Sequence, residues 1–126
     1  MAGNLRSRWS EFLTTDGEKP DRNRDDEFEI SEADSYTALI ARWNEAWGIL
    51  FATLSELQPG DLSRTVTIRG EGLSVLQAIT RQLPHYSYHV GQIVYLAKRF
   101  AGPKWKSLSI PLGKSADSNR GLEKCL

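Results

Sequence analysis

In YTALIARWNEAWGILFATLSEL, residues 36–57, the apolar side chains Tyr36, Leu39, Ile40, Trp43, Trp47, Leu50, Leu54 and Leu57 recur at steps of three and four. That period puts them along one side of an α-helix, where a strand would demand strict alternation. Ser31-Glu32-Ala33-Asp34 just ahead approximates a capping box with Asp in place of Glu, and Pro59-Gly60 stops the run. The expectation is a helix over 32–57 whose tryptophans, at helical spacing on one face, belong to a core rather than to a ligand-stacking site.

Towards the N-terminus, Ala2, Leu5, Trp9, Phe12 and Leu13 continue the helical pattern, with Arg6, Arg8 and Glu11 between them. This reads as an amphipathic helix over 1–14. It is joined to the next by the polar stretch TDGEKPDRNRDDEFEIS, residues 15–31, in which Asp16-Gly17 and Pro20 are turn signals and Phe28 and Ile30 are expected to anchor the loop on the core. Seventeen residues are long for a connection, so this is either a functional or mobile loop or a solvated crossover.

Towards the C-terminus, RTVTIR (64–69) alternates around Val66 and Ile68 and reads as an extended segment or half of a hairpin. One short strand makes no sheet, so a packed connection is expected, ended by Gly70 and Gly72. Ser74-Val75-Leu76-Gln77 is a capping box opening a third helix over 74–101, interrupted by Pro84, which should kink it, and stopped by Gly102-Pro103. In the aperiodic tail, Trp105, Leu108 and Ile110 are candidates to pack back, and 115–126 is expected to be a disordered end. The fold class expected is all-α, an up-and-down bundle of three long helices in a single domain, 1–126, with a short extended segment and an irregular C-terminal tail.

Sixteen basic residues balance sixteen acidic ones, without a basic block, which argues against a general nucleic-acid binder. No apolar run approaches a membrane span or a signal peptide. The one cysteine, Cys125, can form no disulfide within the chain and reads as a tail residue rather than a nucleophile. A cytoplasmic location is expected. No phosphate loop, nucleophile elbow or helical zinc-protease pattern is present.

Both histidines of the chain lie in His85-Tyr86-Ser87-Tyr88-His89. Four residues apart on a helix, they share the inward face of Ala78, Gln82, Gln92, Ile93 and Leu96, where bundles build metal sites. Spacing alone leaves two readings open: a metal-binding pair, or hydrogen-bonded core histidines.

HYSYHVGQIVYLAKRFAG resembles the last-helix signature of the DinB-like superfamily, in which two histidines four apart precede a Gly-Gln. AGNLRSRW, FLTTDGEKPDRNRD, RTVTIRGE and WKSLSIPLGKSA resemble one bacterial subfamily of unknown function, so the likeness extends over nearly all of residues 2–117. The resemblance implies a four-helix bundle holding a divalent metal, nickel or zinc, through three histidines. Two of these match His85 and His89, with Tyr88 and Gln92 as candidates to support them. It also implies thiol-transferase or hydrolase chemistry on a small-molecule or thiol substrate. The third histidine comes from a helix ahead of the stretch matching Met1-Ala2-Gly3-Asn4-Leu5, so the expectation is a domain shortened at its N-terminus. A misplaced start codon, a truncated gene or a completing partner chain each account for it. Asn4 would then sit near the metal. Apolar faces left by an absent helix imply a homodimer, and the alternatives to an enzyme are a helical association module or an inactive remnant.

Overall fold

The computed structural model describes residues 1–122, so the expectation for Cys125 lies outside the described residues. The chain divides into two compact units, Met1–His89 and Val90–Leu126. It is mostly helical: α1 (Ala2–Trp9), α2 (Tyr36–Glu56), α3 (Val75–Ala101) and α4 (Ser115–Leu122), with one hairpin of β1 (Thr65–Ile68) and β2 (Glu71–Ser74). Among the described residues, no helix is long and apolar enough to cross a membrane.

The core of the first unit draws on four elements. Leu5 and Trp9 of α1, with Phe12 just beyond it, meet Ala46 and Leu50 of α2, Val66 and Ile68 of β1, and Val75, Ala78 and Tyr86 of α3. Each fully buried aliphatic side chain here, such as Leu5 or Ile68, contributes about 1.5–3 kcal/mol. Tyr86 joins the helices by polar contact as well: Trp9 Nε1 donates to its hydroxyl at 2.8 Å, and its ring lies 5.1 Å from that of Trp47. Burial pushes the Tyr86 pKa up to about 12, so the hydroxyl stays protonated.

Helix α1 ends at Trp9, five residues short of the predicted end. Ser10 is extended and Glu11 takes a φ of 48°, which no helix accommodates. The carbonyls freed by this stop are taken from a distance. Lys19 Nζ donates to those of Ser7 and Ser10 at 3.1 and 2.9 Å, and also to the Asp16 carbonyl of its own loop at 2.8 Å, while Thr53 Oγ1 of α2 donates to that of Trp9 at 2.8 Å. Phe12 keeps the apolar period because the turn, not a helix, returns it to the core.

Helix α2 starts at Tyr36, where the Ser35 hydroxyl accepts from the Ala38 amide at 3.1 Å. The Ser31–Asp34 pattern forms only half of its box, as a separate turn ahead of the helix: Asp34 accepts from the Ser31 amide at 2.8 Å, while the Asp34 amide donates to the Ser31 carbonyl rather than to its hydroxyl. Phe28 and Ile30 do not anchor the loop: they are 73% and 92% exposed. In their place Asp16, Gly17 and Lys19 attach it to α1 and β1.

The segment 64–69 has its partner. β2 pairs antiparallel with β1, Val66 opposite Leu73 and Ile68 opposite Glu71. The two-residue turn, Arg69-Gly70, has φ of 56° and 77°, the positive pair that a type I′ hairpin turn requires. Asp16 holds it: its Oδ1 accepts from the Arg69 amide at 2.8 Å and its Oδ2 from the Gly70 amide at 2.9 Å. The Gly17 amide donates to the Thr67 carbonyl at 2.8 Å beside it. Ser74 and Gln77 exchange both bonds of the predicted capping box, at 2.8 and 3.1 Å, and α3 continues through Pro84. In the second unit Trp105 is half-buried, Leu108 and Ile110 are exposed, and Ser115–Leu122 is helical.

Candidate functional site

One helical turn of α3 carries His85 and His89, and the i,i+4 spacing turns both rings towards one point. Their Nε2 atoms lie 3.0 Å apart, with ring centroids at 4.8 Å and planes at 68°. Gln82, one turn earlier and buried, is the hub that orients the pair. Its Nε2 donates to Asn4 Oδ1 of α1 at 2.8 Å and lies 2.9 Å from His85 Nδ1. In this orientation of the amide, His85 Nδ1 accepts and the ring carries its proton on Nε2, facing His89; the opposite amide orientation reverses the tautomer. Burial first, and then the neighbouring His89 ring, lower the His85 pKa from its ordinary value, which favours the neutral imidazole.

Two nitrogens 3.0 Å apart suit a shared ion. Ligands at about 2.0–2.1 Å are separated by about 2.9 Å at a right angle and about 3.3 Å in a tetrahedron. The pair therefore fits two positions of one coordination sphere. Among the described residues, no group of three His, Cys, Asp or Glu side chains surrounds such a point.

The pair opens on a cavity of about 510 Å³ within the first unit, lined also by Asn4, Gln82 and Glu27 and by five arginines, Arg8, Arg22, Arg24, Arg69 and Arg81. Asn4 stands on the same cavity as the histidines and is linked to His85 through Gln82. Of the two candidate supports, Tyr88 sets its ring edge-on to His89 at 5.2 Å, and Gln92 is exposed on α3, three residues beyond. Gln82, which the sequence places on the histidine face without a role, contacts His85 directly. The arginines escape sequence reasoning because they come from α1, the long loop, the hairpin turn and α3, with no shared spacing. The one available signal is Arg8, a cation set within the apolar run of α1.

A mostly helical chain with two imidazoles converging at an arginine-lined cavity is the class defined by this fold and site. The chain belongs to the family described as protein of unknown function (DUF1572), which matches residues 1–114. No curated protein and no solved structure matches it.

Proposed function

We propose that this chain is a DinB-like metal-binding protein, a helical bundle in which His85 and His89 hold a divalent ion, nickel or zinc. The observation that carries the reading is the convergence of the two Nε2 atoms, at 3.0 Å, beside an open cavity. A bound ion with free positions supplies Lewis-acid activation of water or a thiol, which suits thiol transfer or hydrolysis of a small molecule.

The surrounding residues support this reading through the tautomer they can hold. A histidine that ligates through Nε2 carries its proton on Nδ1 and needs an acceptor there. The Gln82 amide presents one when turned over, and turning Asn4 over with it restores their mutual bond, because each amide has an oxygen and a nitrogen of nearly equal size. Asn4 and Gln82 are both buried, at 9% and 3% exposure.

The test is elemental analysis of purified protein after loading with nickel or zinc. His85→Ala together with His89→Ala should abolish retained metal, and unchanged stoichiometry in that double variant would overturn the assignment.

A second reading, association through the helices, has its own observation. Leu39 and Phe51 of α2 are 56% and 60% exposed, next to the half-buried Trp43 and Trp47. A contiguous apolar face of this kind is covered in a two-fold homodimer. Light scattering in dilute solution should then read twice the 14.2 kDa of the chain, and a well-folded monomer refutes it.

A further inference from the structure

The cavity beside the histidines is far more basic than the chain that forms it. The whole sequence is neutral, yet five guanidiniums line this one space. Their carboxylate partners are too few. Glu18 is shared by Arg8 at 3.7 Å, Arg22 at 3.1 Å and Arg69 at 3.3 Å. Glu27 takes Arg22 again at 2.7 Å, and Glu71 takes Arg81 at 3.6 Å. Five guanidiniums against three carboxylates leave an excess of two positive side chains, and Glu27 is shared with the Met1 ammonium at 4.0 Å as well.

Two of the five stand out by position. Arg24 has no carboxylate partner among the described residues, and its guanidinium lies over the Phe28 ring at 5.6 Å. Stacking on an aromatic face uses the plane of the group and leaves its edge of N–H donors for another acceptor. Arg81 stands on α3 one turn ahead of His85, exposed and, among the described residues, paired with a carboxylate only through the long contact to Glu71. Behind both, Arg8 is 7% exposed, with its Nε donating to the Gly17 carbonyl. Burial is the main influence lowering the Arg8 pKa. Glu18 opposes it, while Arg81, Arg69 and Arg22 reinforce it, so a further anion at the centre of the group would relieve that repulsion.

The geometry points to a small anionic molecule, bearing a carboxylate or phosphate group, as the ligand of this cavity, received by Arg24 and Arg81 and oriented with its remaining atoms at the His85–His89 pair. Guanidinium forks match either oxyanion in two-point hydrogen bonding, and Glu18, gripped by three arginines, shows a carboxylate in such a setting. The inference rests on the proposed function for the chemistry performed at the histidines, but the binding step stands without it.

The experiment is calorimetric titration of the 126-residue protein, with no added metal, against succinate, inorganic phosphate and uncharged succinamide. At least one of the two anions should bind and succinamide should not, and the tighter anion names the recognised group. The double variant Arg24→Gln with Arg81→Gln should weaken binding about tenfold or more. Both side chains are exposed, so its denaturation midpoint should stay at the wild-type value. Raising salt to about 0.15 M should weaken the wild type as well. In the His85→Ala, His89→Ala double variant anion binding should persist while metal retention is lost, so failure of the metal reading and failure of this one are told apart. Equal binding of succinamide and succinate, unchanged anion affinity in the arginine double variant, or no binding of either anion at about 10 mM overturns the inference.

Discussion

Replacing Asp16 with Ala removes a side chain that is itself half-buried yet ties three backbone amides, one in its own loop and two in the hairpin turn. Its carboxylate accepts from the amides of Glu18 at 2.7 Å, Arg69 at 2.8 Å and Gly70 at 2.9 Å. Hydrogen bonds to a charged group are worth about 1.5–3 kcal/mol each when protected from water. The two amides of the hairpin turn are exposed, so water replaces much of their loss, and the sum falls to about 2–3 kcal/mol. For a chain of this length that is a drop of about 7–11 °C in the melting midpoint. Asp16→Asn is the informative companion. Its carbonyl oxygen can still serve Glu18 and Arg69, but the amide group now faces the Gly70 N–H, so about half the loss is expected.

Urea unfolding followed by tryptophan fluorescence measures the effect, because Trp9 lies in the core that the hairpin covers. The Gly70, Glu18 and Arg69 amides, in that order of influence, hold the Asp16 carboxyl below its ordinary pKa. A depressed folded value means the stabilisation is fully present above the unfolded pKa of about 3.9 and is lost as pH falls through the folded one. Wild type and Asp16→Asn should therefore differ at pH 7 and converge in acid. An Asp16→Ala protein within about 0.5 kcal/mol of wild type, the range of an ordinary surface change, would refute the reasoning.

Tyr86→Phe leaves the buried Trp9 N–H without its acceptor and should cost about 1–3 kcal/mol in chemical denaturation; a neutral result would mean that the core admits water there. Gly17→Ala places a methyl 2.8 Å from Arg8 Cδ and 3.2 Å from Ile68 Cγ1, in a position where Arg8 is itself tied to the Gly17 carbonyl. A loss of about 1–3 kcal/mol is expected from the same unfolding curves, and a stabilised variant would show that the loop packs less closely than this.

What was legible in the sequence was local. The Ser74–Gln77 box and the His85–His89 pair depend on residues three and four apart, and both take the form their spacing dictates. The hairpin was only half legible because β2 reads Glu-Gly-Leu-Ser, with one apolar residue in four, and its turn is Arg-Gly rather than Asn-Gly. The missing preference at Arg69 is supplied by Asp16, a partner 53 residues away that no local pattern announces. The early end of α1 has the same origin, since neither Gly nor Pro marks Ser10 or Glu11, and the stop is held by the ammonium of Lys19. Gln82 likewise takes its role from Asn4, 78 residues distant.

The long loop divides into halves of different character. Residues 16–19 are built into the first unit as firmly as a strand: they hold the turn between β1 and β2, bond to Thr67, and close the C-terminus of α1. Residues 28–35 are exposed and pack on none of the core, as a solvated crossover would. Between them stand Arg22, Arg24 and Glu27, one end of their segment fixed by Glu18 and the other leading into solvent. That placement gives Arg22 a defined position at the cavity wall and leaves Arg24, stacked on the exposed Phe28, room to turn towards whatever enters. The one long polar connection thus both grips the hairpin, through Asp16 and Gly17, and carries Arg22 and Arg24 to the cavity on which the histidines open.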